Sequence, residues 1–201
     1  MKQAANKNII GLFDLDGSLA DYEGGMRMSL DIIRSPEEAI SSGLHEMENL
    51  PHIGNRMRLI KDQPGWWLNL PRIESGFQMV NLIRSIGFDV HILTKGPSKH
   101  SLAWKEKIDW CNNQPELQGC PIHIVSSKSL VYGHLLFDDF PPYMKDWLEH
   151  RPRGLGIMPE TYYNADFQHD QVVKWDGTNL EEIEKIARLV FERKMGEPWL
   201  D

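Results

Sequence analysis

The chain has only two cysteines and no long apolar run, and each shortage excludes a class of protein. Cys111 and Cys120 match neither the spacing of a zinc site nor that of a redox pair, which favours a reducing compartment. No stretch approaches the roughly 20 apolar residues that span a bilayer. Because the first ten residues also lack the apolar segment of a secretory signal, we expect a soluble cytoplasmic protein without a membrane partner.

Positive charge is also scarce, with 22 Lys and Arg residues against 29 Asp and Glu residues and a net charge of -7. Proteins that hold nucleic acid by bulk electrostatics carry the opposite balance, so bulk nucleic-acid binding is not expected, although a local basic pocket is compatible with these numbers. A length of 201 residues allows one domain with an insertion, or a domain plus a small cap.

Short apolar runs alternate with helical patterns along most of the chain. The runs that predict strands are 8–13, 88–94, 121–126, 134–138, 154–158 and 171–175. Helices are predicted at 73–86, at 98–112 with Ser98 as its cap, and after Thr178, where Thr178 and Glu181 have the spacing of a capping box. This alternation is typical of an α/β fold with a Rossmann-like, mainly parallel sheet and helices on both faces.

Apolar residues within the predicted helices indicate their buried faces: 73–86 has a stripe at Phe77, Val80 and Ile83, and the last helix has apolar residues at helical spacing. For the helix at 98–112, the predicted apolar residues are Leu102, Trp104, Ile108 and Cys111. For the last helix they are Ile183, Ile186, Ala187, Val190 and Phe191.

Residues 22–70 interrupt the alternation directly after the first strand. They contain helical segments at 24–34 and 35–49, followed by a segment rich in Pro, Gly and Trp. Open α/β sheets bind ligands at the carboxyl ends of their strands. We therefore expect 22–70 to form a small helical cap over that edge, with 1–21 and 71–201 as the core.

Polar side chains stand at or just after the ends of four predicted strands. They are Asp14, Asp16, Thr94, Lys128, Asp138 and Asp139. In a parallel sheet these strand ends share one edge, so the side chains are expected to converge. Hard oxygen ligands with few His or Cys residues suit Mg²⁺, and a cation would relieve the repulsion between the clustered aspartates. One carboxylate oxygen could then act as a nucleophile.

These motifs resemble those of the haloacid dehalogenase (HAD) superfamily. The shared features are D-x-D-G at Asp14–Gly17, a strand that ends in Thr94, a lysine, and a strand that ends in Asp-Asp. The extended form D-x-D-G-x-L-A-D at Asp14–Asp21 and the stretch "KSLVYGHLLFDD" at Lys128–Asp139 are most similar to the 5'(3')-deoxyribonucleotidases. The aromatic pair Trp66–Trp67 is a further likeness. The resemblance implies a Mg²⁺-dependent phosphatase that hydrolyses nucleoside monophosphates through an aspartyl-phosphate.

The resemblance also implies residue roles. Asp14 would attack phosphorus, and Asp16 would protonate the leaving alcohol and then activate water. Thr94 and Lys128 would hold the phosphoryl oxygens. Lys95 stands where these nucleotidases carry a small hydroxyl residue, and it could contact phosphate or lie in solvent.

The implied metal site consists of Asp14, Asp138 and the backbone carbonyl of Asp16, with Asp139 supporting it. Trp66 and Trp67 are candidates for contact with the base. Tryptophans often serve packing alone, but adjacent residues of an extended segment point in opposite directions, so one ring could pack inward while the other stacks on a base.

Two alternatives to the nucleotidase stay open. One is a HAD phosphatase for another small phosphomonoester, such as a sugar phosphate, and the other is a non-catalytic binding module with the same fold. The expected partner is a small molecule, and assembly as a homodimer is also left open.

Overall fold

The computed structural model describes residues 8–38, 43–44, 49–97 and 100–196. Most of the predicted helical segment 35–49 and the predicted cap residue Ser98 lie outside these ranges.

Six parallel strands form one sheet in the described part of the chain, in the order β3-β2-β1-β4-β5-β6. The strands are β1 (Ile10–Phe13), β2 (Asp89–Lys95), β3 (Ile122–Val125), β4 (Leu135–Phe137), β5 (Leu155–Pro159) and β6 (Val172–Trp175). All six predicted strands are therefore confirmed. The predicted Rossmann-like fold is confirmed as well.

The described ranges also contain six α-helices, and none of them is long and apolar enough to cross a bilayer. They are α1 (Tyr22–Ile33), α2 (Pro51–Lys61), α3 (Glu74–Ile86), α4 (Ser101–Asn112), α5 (Pro141–Glu149) and α6 (Leu180–Gly196). Two short 3-10 turns, Pro115–Leu117 and Lys128–Leu130, complete the connections.

Helix α6 begins at Leu180, so the predicted capping box between Thr178 and Glu181 is wrong. The carboxylate of Asp176 accepts hydrogen bonds from the backbone N–H groups of Thr178 and Asn179, at 2.7 and 3.1 Å. These bonds hold the backbone around Thr178 in a turn, so the helix begins only at Leu180.

Helices cover both faces of the sheet because neighbouring strand residues point in opposite directions. Phe13 belongs to a core cluster that includes residues of α3, α4 and α6, whereas Leu12 belongs to a cluster built on α5. Trp147 of α5 is fully buried in the second cluster. Burial of each such side chain contributes about 1.5–3 kcal/mol, so the two clusters fix the sheet between its helices.

Helices α1 and α2 lie between β1 and α3 in the chain and have an apolar cluster of their own. Its buried members are Met26, Leu30, Leu44, Ile53, Met57 and Ile60. Tyr22 and Trp66 pack against both this cluster and the main core. A separate small core is what a cap requires, and the division of the chain at residues 22 and 70 remains a prediction.

A pair of histidines links the edge strand β3 to its neighbour β2. His91 Nδ1 lies 3.0 Å from His123 Nε2, and the two rings stack with centroids 5.2 Å apart. On its other side, His91 Nε2 lies 3.2 Å from a carboxylate oxygen of Asp89. Burial, and secondarily the neighbouring His91, lower the pKa of His123 below its ordinary value.

Acid is therefore expected to weaken the fold through His123. The unfolded chain, where His123 has its ordinary pKa near 6.5, takes up a proton more readily than the folded chain does. The contribution of His123 to stability is complete above the ordinary pKa of the unfolded chain. It is lost as the pH falls through the lowered pKa of the folded chain. In urea unfolding between pH 7.5 and 5, the free energy of unfolding should fall more steeply for the wild type than for His123→Gln. The exposed His150→Gln is the control, and equal slopes for the wild type and His123→Gln would contradict the prediction.

Candidate functional site

A cavity of about 840 Å³ opens at the carboxyl edge of the sheet, between the strand ends and the inserted helices. The sheet side contributes the charged residues Asp14, Asp16, Lys95, Lys128 and Asp139 to its lining. The inserted segment contributes Tyr22, Glu23, Leu44, Met57, Lys61 and Trp67. The sheet-side wall therefore carries most of the charge, together with the rings of Phe140, Tyr143 and Tyr163, and the wall formed by the inserted segment is mainly apolar and aromatic.

Lys128 joins two buried aspartates at the centre of the sheet edge. Its ammonium lies 2.6 Å from Asp14 Oδ1 and 2.7 Å from Asp138 Oδ2. Asp14 directly follows β1, and its N–H donates to the carbonyl of Phe137 at 2.8 Å. The sheet order places β1 beside β4, so the two strand ends deliver both carboxylates to one point. The structure therefore brings together Asp14, Lys128 and Asp138, three of the six residues that the sequence pattern predicted to converge here.

Asp139 is held by several donors beside this centre. Ser18 Oγ donates to Asp139 Oδ1 at 3.1 Å, and the Tyr163 hydroxyl donates to Oδ2. The side-chain amide of Asn164 donates to the Asp139 carbonyl at 2.8 Å. Gly17 has a φ of 80°, and a Cβ at that position would collide with the Asp139 carboxylate. A glycine is therefore required where the chain turns after Asp16.

Three carboxylates share this site with one buried ammonium. Burial raises the pKa of Asp14 to about 7 and that of Asp139 to about 6, and in both cases neighbouring carboxylates add to the effect. Burial alone would lower the pKa of Lys128, but the charges of Asp138 and Asp14 outweigh it and raise that pKa. The cluster is short of positive charge.

Oxygen atoms of Asp14, Asp138 and Asp139 lie within 4.8 Å of one another. Such a set of buried carboxylate oxygens fits a hard divalent cation, which prefers oxygen ligands and would supply the missing charge.

The carboxylate of Asp16 is engaged separately. Its Oδ2 pairs with the ammonium of Lys107, a residue of α4 that is 2% exposed. Lys107 also donates to the hydroxyl of Thr94 at 3.1 Å and to the carbonyl of Lys95 at 3.0 Å. Thr94 is buried, whereas the side chain of Lys95 is exposed and its ammonium lies 5.1 Å from the centre of the Tyr143 ring.

Lys107 is absent from the predicted site residues because the predicted buried face of α4 is wrong. Leu102, Trp104 and Ile108 are exposed, and of the predicted apolar residues only Cys111 is buried. The residues that α4 buries are Ala103, Glu106, Lys107, Trp110 and Cys111. Their spacing of three and four residues is the signal that could have identified Lys107.

Trp66 and Trp67 do not point in opposite directions, so that prediction is wrong. The segment that carries them forms consecutive turns rather than an extended strand, and the two rings meet edge to face at 4.8 Å. Trp66 donates to Ser29 Oγ at 3.0 Å and packs between the clusters. Trp67 stacks on Tyr22 at 5.7 Å and is the one of the pair that lines the cavity as the described residues define it.

The sequence of the chain matches the model of a known protein family. The family model of 5' nucleotidase, deoxy (pyrimidine), cytosolic type C protein matches residues 7–190. A comparison with curated protein sequences gives no match.

Solved structures of HAD hydrolases have the same fold. A haloacid dehalogenase-like family hydrolase from Xanthomonas campestris has a TM-score of 0.55 at 14% identity, covering 94% of this chain and 99% of that one. The HAD hydrolase YfnB from Bacillus subtilis, in a structure bound to magnesium, has a TM-score of 0.54 at 13% identity, covering 90% and 98%. At these identities the likeness shows the fold alone. Because the family model spans nearly the whole sequence, the chain belongs to the family of 5' nucleotidase, deoxy (pyrimidine), cytosolic type C proteins and is a HAD-type phosphoric monoester hydrolase.

Proposed function

We propose that the protein is a Mg²⁺-dependent phosphatase of nucleoside monophosphates, with deoxyribonucleotides as its preferred substrates. The observation that carries this proposal is the placement of Asp14. Its carboxylate lines the cavity, lies 2.6 Å from the Lys128 ammonium and has two further carboxylates beside it. Phosphoryl transfer needs a nucleophile in line with the leaving group and positive charge at the phosphoryl oxygens, and the positions of Asp14 and of the Lys128 ammonium on this wall support these two roles.

In the proposed reaction a carboxylate oxygen of Asp14 forms a bond to phosphorus while the bond from phosphorus to the leaving oxygen breaks. Asp16 gives a proton to that oxygen and then takes one from the water that hydrolyses the aspartyl-phosphate. Thr94, Lys95 and Lys128 bind the phosphoryl oxygens. The positions of Lys95 and Lys128 on the charged wall support these roles.

The proposed metal ligands are Asp14, Asp138 and the backbone carbonyl of Asp16, with Asp139 supporting the site. When bound, Mg²⁺ supplies positive charge to the carboxylates and the phosphoryl group. The buried oxygen cluster supports this assignment, as does the magnesium named for the YfnB structure.

The apolar wall is the proposed site for the nucleoside. Trp67 and Tyr22 stack on each other there, and Leu44 and Met57 extend the surface. An aromatic face suits a base better than it suits a sugar, and the family name supports a deoxyribonucleotide with a pyrimidine base. The name also supports a cytoplasmic location. A sugar phosphate remains the alternative substrate, because Glu23 and Lys61 add polar groups to the same wall.

The first prediction from this proposal concerns the substrate and the nucleophile. Purified protein with Mg²⁺ should release phosphate from deoxyribonucleoside monophosphates faster than from ribonucleotides or sugar phosphates, and EDTA should abolish the release. Asp14→Asn should lower turnover by at least about 10⁴-fold, because it removes the attacking oxygen charge. Phosphate release from a panel of 5'- and 3'-nucleotides measures all three effects.

Each other outcome of this panel has a defined meaning. Asp14→Asn activity within tenfold of the wild type would contradict the nucleophile assignment. Release from sugar phosphates alone would keep the chemistry and replace the substrate. A folded protein that releases phosphate from nothing would be a binding module.

The second prediction concerns the metal. Mg²⁺ at 100 times its dissociation constant should stabilise the wild-type fold by about 2.7 kcal/mol, because the ion binds only the folded state. Asp138→Asn should lose most of this gain, whereas Asp170→Asn, at an exposed position, should keep it. Thermal unfolding with and without Mg²⁺ tests this prediction, and an Asp138→Asn protein that Mg²⁺ stabilises as much as the wild type would remove Asp138 from the metal site.

The third prediction separates the two tryptophans. Trp67→Ala should lower kcat/KM for a deoxyribonucleotide by about 5- to 150-fold relative to a small generic phosphoester, which corresponds to 1–3 kcal/mol of stacking. Trp66→Ala should lower both values equally, because Trp66 supports packing rather than the cavity wall. The ratio of the two kcat/KM values, measured on one preparation, is independent of the folded fraction. An unchanged ratio in Trp67→Ala would exclude contact with the base.

A further inference from the structure

Helix α4 buries two charged residues, Glu106 and Lys107, which are 6% and 2% exposed. Charged side chains are almost never buried so completely unless they are paired, because the loss of hydration costs several kcal/mol per ion. The partners of these two residues therefore indicate what they do.

Lys107 has an acceptor for every proton it can donate. An ammonium has three N–H groups, and its acceptors are the Asp16 carboxylate, the Thr94 hydroxyl at 3.1 Å and the Lys95 carbonyl at 3.0 Å. No N–H group is left over for a phosphoryl oxygen. Lys107 thus differs from Lys128, whose two carboxylate partners leave one proton for a ligand.

These bonds also decide what Asp16 and Thr94 can still do. Because the Thr94 oxygen accepts from Lys107, its own hydroxyl proton remains to be donated. Because Lys107 binds Asp16 Oδ2, it fixes the orientation of the Asp16 carboxylate at the cavity wall. Asp16 Oδ1 is buried and has no hydrogen-bond partner among the residues that the structure describes, so Lys107 supplies the ion pair that holds this carboxylate in place.

Glu106 holds the backbone of the loop before α3 in place. Its carboxylate accepts from the backbone N–H of Gly65 at 2.6 Å and from that of Trp67 at 3.2 Å. The Lys107 ammonium lies 4.8 Å from the centre of the Trp67 ring. Two consecutive residues of one helix therefore connect the aromatic wall of the cavity to Asp16.

We propose that Lys107 is a positioning residue for the phosphatase reaction, which holds the Asp16 carboxylate for proton transfer to the leaving oxygen and leaves the Thr94 hydroxyl proton for the phosphoryl group. The inference rests on the proposed function. Lys107 lies at the cavity lining, but its three N–H groups are directed to Asp16, Thr94 and Lys95, so we assign its effect to Asp16 and Thr94.

The effect through Asp16 depends on the leaving group. When the bond between phosphorus and the leaving oxygen breaks, the electron pair stays on that oxygen. A nucleoside alkoxide needs the proton from Asp16, whereas 4-nitrophenolate is a stable anion and leaves without it. A misplaced Asp16 should therefore slow the nucleotide far more than 4-nitrophenyl phosphate.

The test compares kcat/KM for 5'-dTMP and 4-nitrophenyl phosphate in the wild type and in Lys107→Met. We expect the nucleotide value to fall by about 100-fold or more and the 4-nitrophenyl phosphate value by less than about tenfold. The ratio comes from a single preparation, so partial unfolding of the variant cancels. Loss of the Thr94 interaction affects both substrates equally and also cancels.

Two further variants complete the design. Lys105→Met changes an exposed lysine of the same helix that pairs with Asp109, and it should leave the ratio at the wild-type value. Asp16→Asn should change the ratio at least as strongly as Lys107→Met does. In the double variant, Lys107→Met should add nothing to the effect of Asp16→Asn on the ratio, since both act on one proton transfer.

The same measurements distinguish a failure of the positioning role of Lys107 from a failure of the proposed phosphatase function. A wild type that hydrolyses both substrates, with a ratio that Lys107→Met leaves unchanged, would overturn the positioning role and keep the phosphatase. An additive double variant would also overturn it. A wild type that hydrolyses neither substrate would overturn the proposed function and this inference with it.

Discussion

The buried pairing of Lys128 with Asp14 and Asp138 is the constraint on which the site depends. Two carboxylates at 2.6 and 2.7 Å from one ammonium are stable in the interior only if their geometry is kept, because an unpaired buried charge costs about 3–5 kcal/mol. The adjacent strands β1 and β4 deliver the aspartates, and the turn after β3 delivers the lysine. Asp139 then brings a third carboxylate, and the resulting excess of negative charge is what a divalent cation would balance.

Helix α4 connects this charged edge to the inserted segment. Glu106 fixes the backbone around Trp67, and Lys107 fixes the carboxylate of Asp16. The aromatic wall and the proton-transfer group are thus attached to neighbouring positions of one rigid element. In the proposed reaction, the group that recognises the nucleoside and the group that protonates its leaving oxygen keep a fixed relation, and proximity of this kind is a large source of rate acceleration.

Much of the fold and the charged centre could be predicted from the sequence, because parallel strands in a buried sheet have continuous apolar runs and end in polar residues. The six strands and the convergence of Asp14, Lys128 and Asp138 followed from that pattern. The conformation at Trp66–Trp67 could not be predicted, since turns depend on tertiary contacts such as the Glu106 carboxylate. The start of α6 was misplaced for a similar local reason, the hydrogen bonds accepted by Asp176.

The error at α4 has a different cause. Apolar patterning places charged residues in solvent and therefore predicts Leu102, Trp104 and Ile108 as the buried face, whereas all three are exposed. A lysine and a glutamate can occupy a buried face only where acceptors and donors for each are in place, and burying them costs more than burying apolar side chains does. Local rules fail most often at functional sites. Charged residues at apolar helical spacing, such as Lys107 between Ala103 and Trp110, are for that reason candidates for function in a sequence.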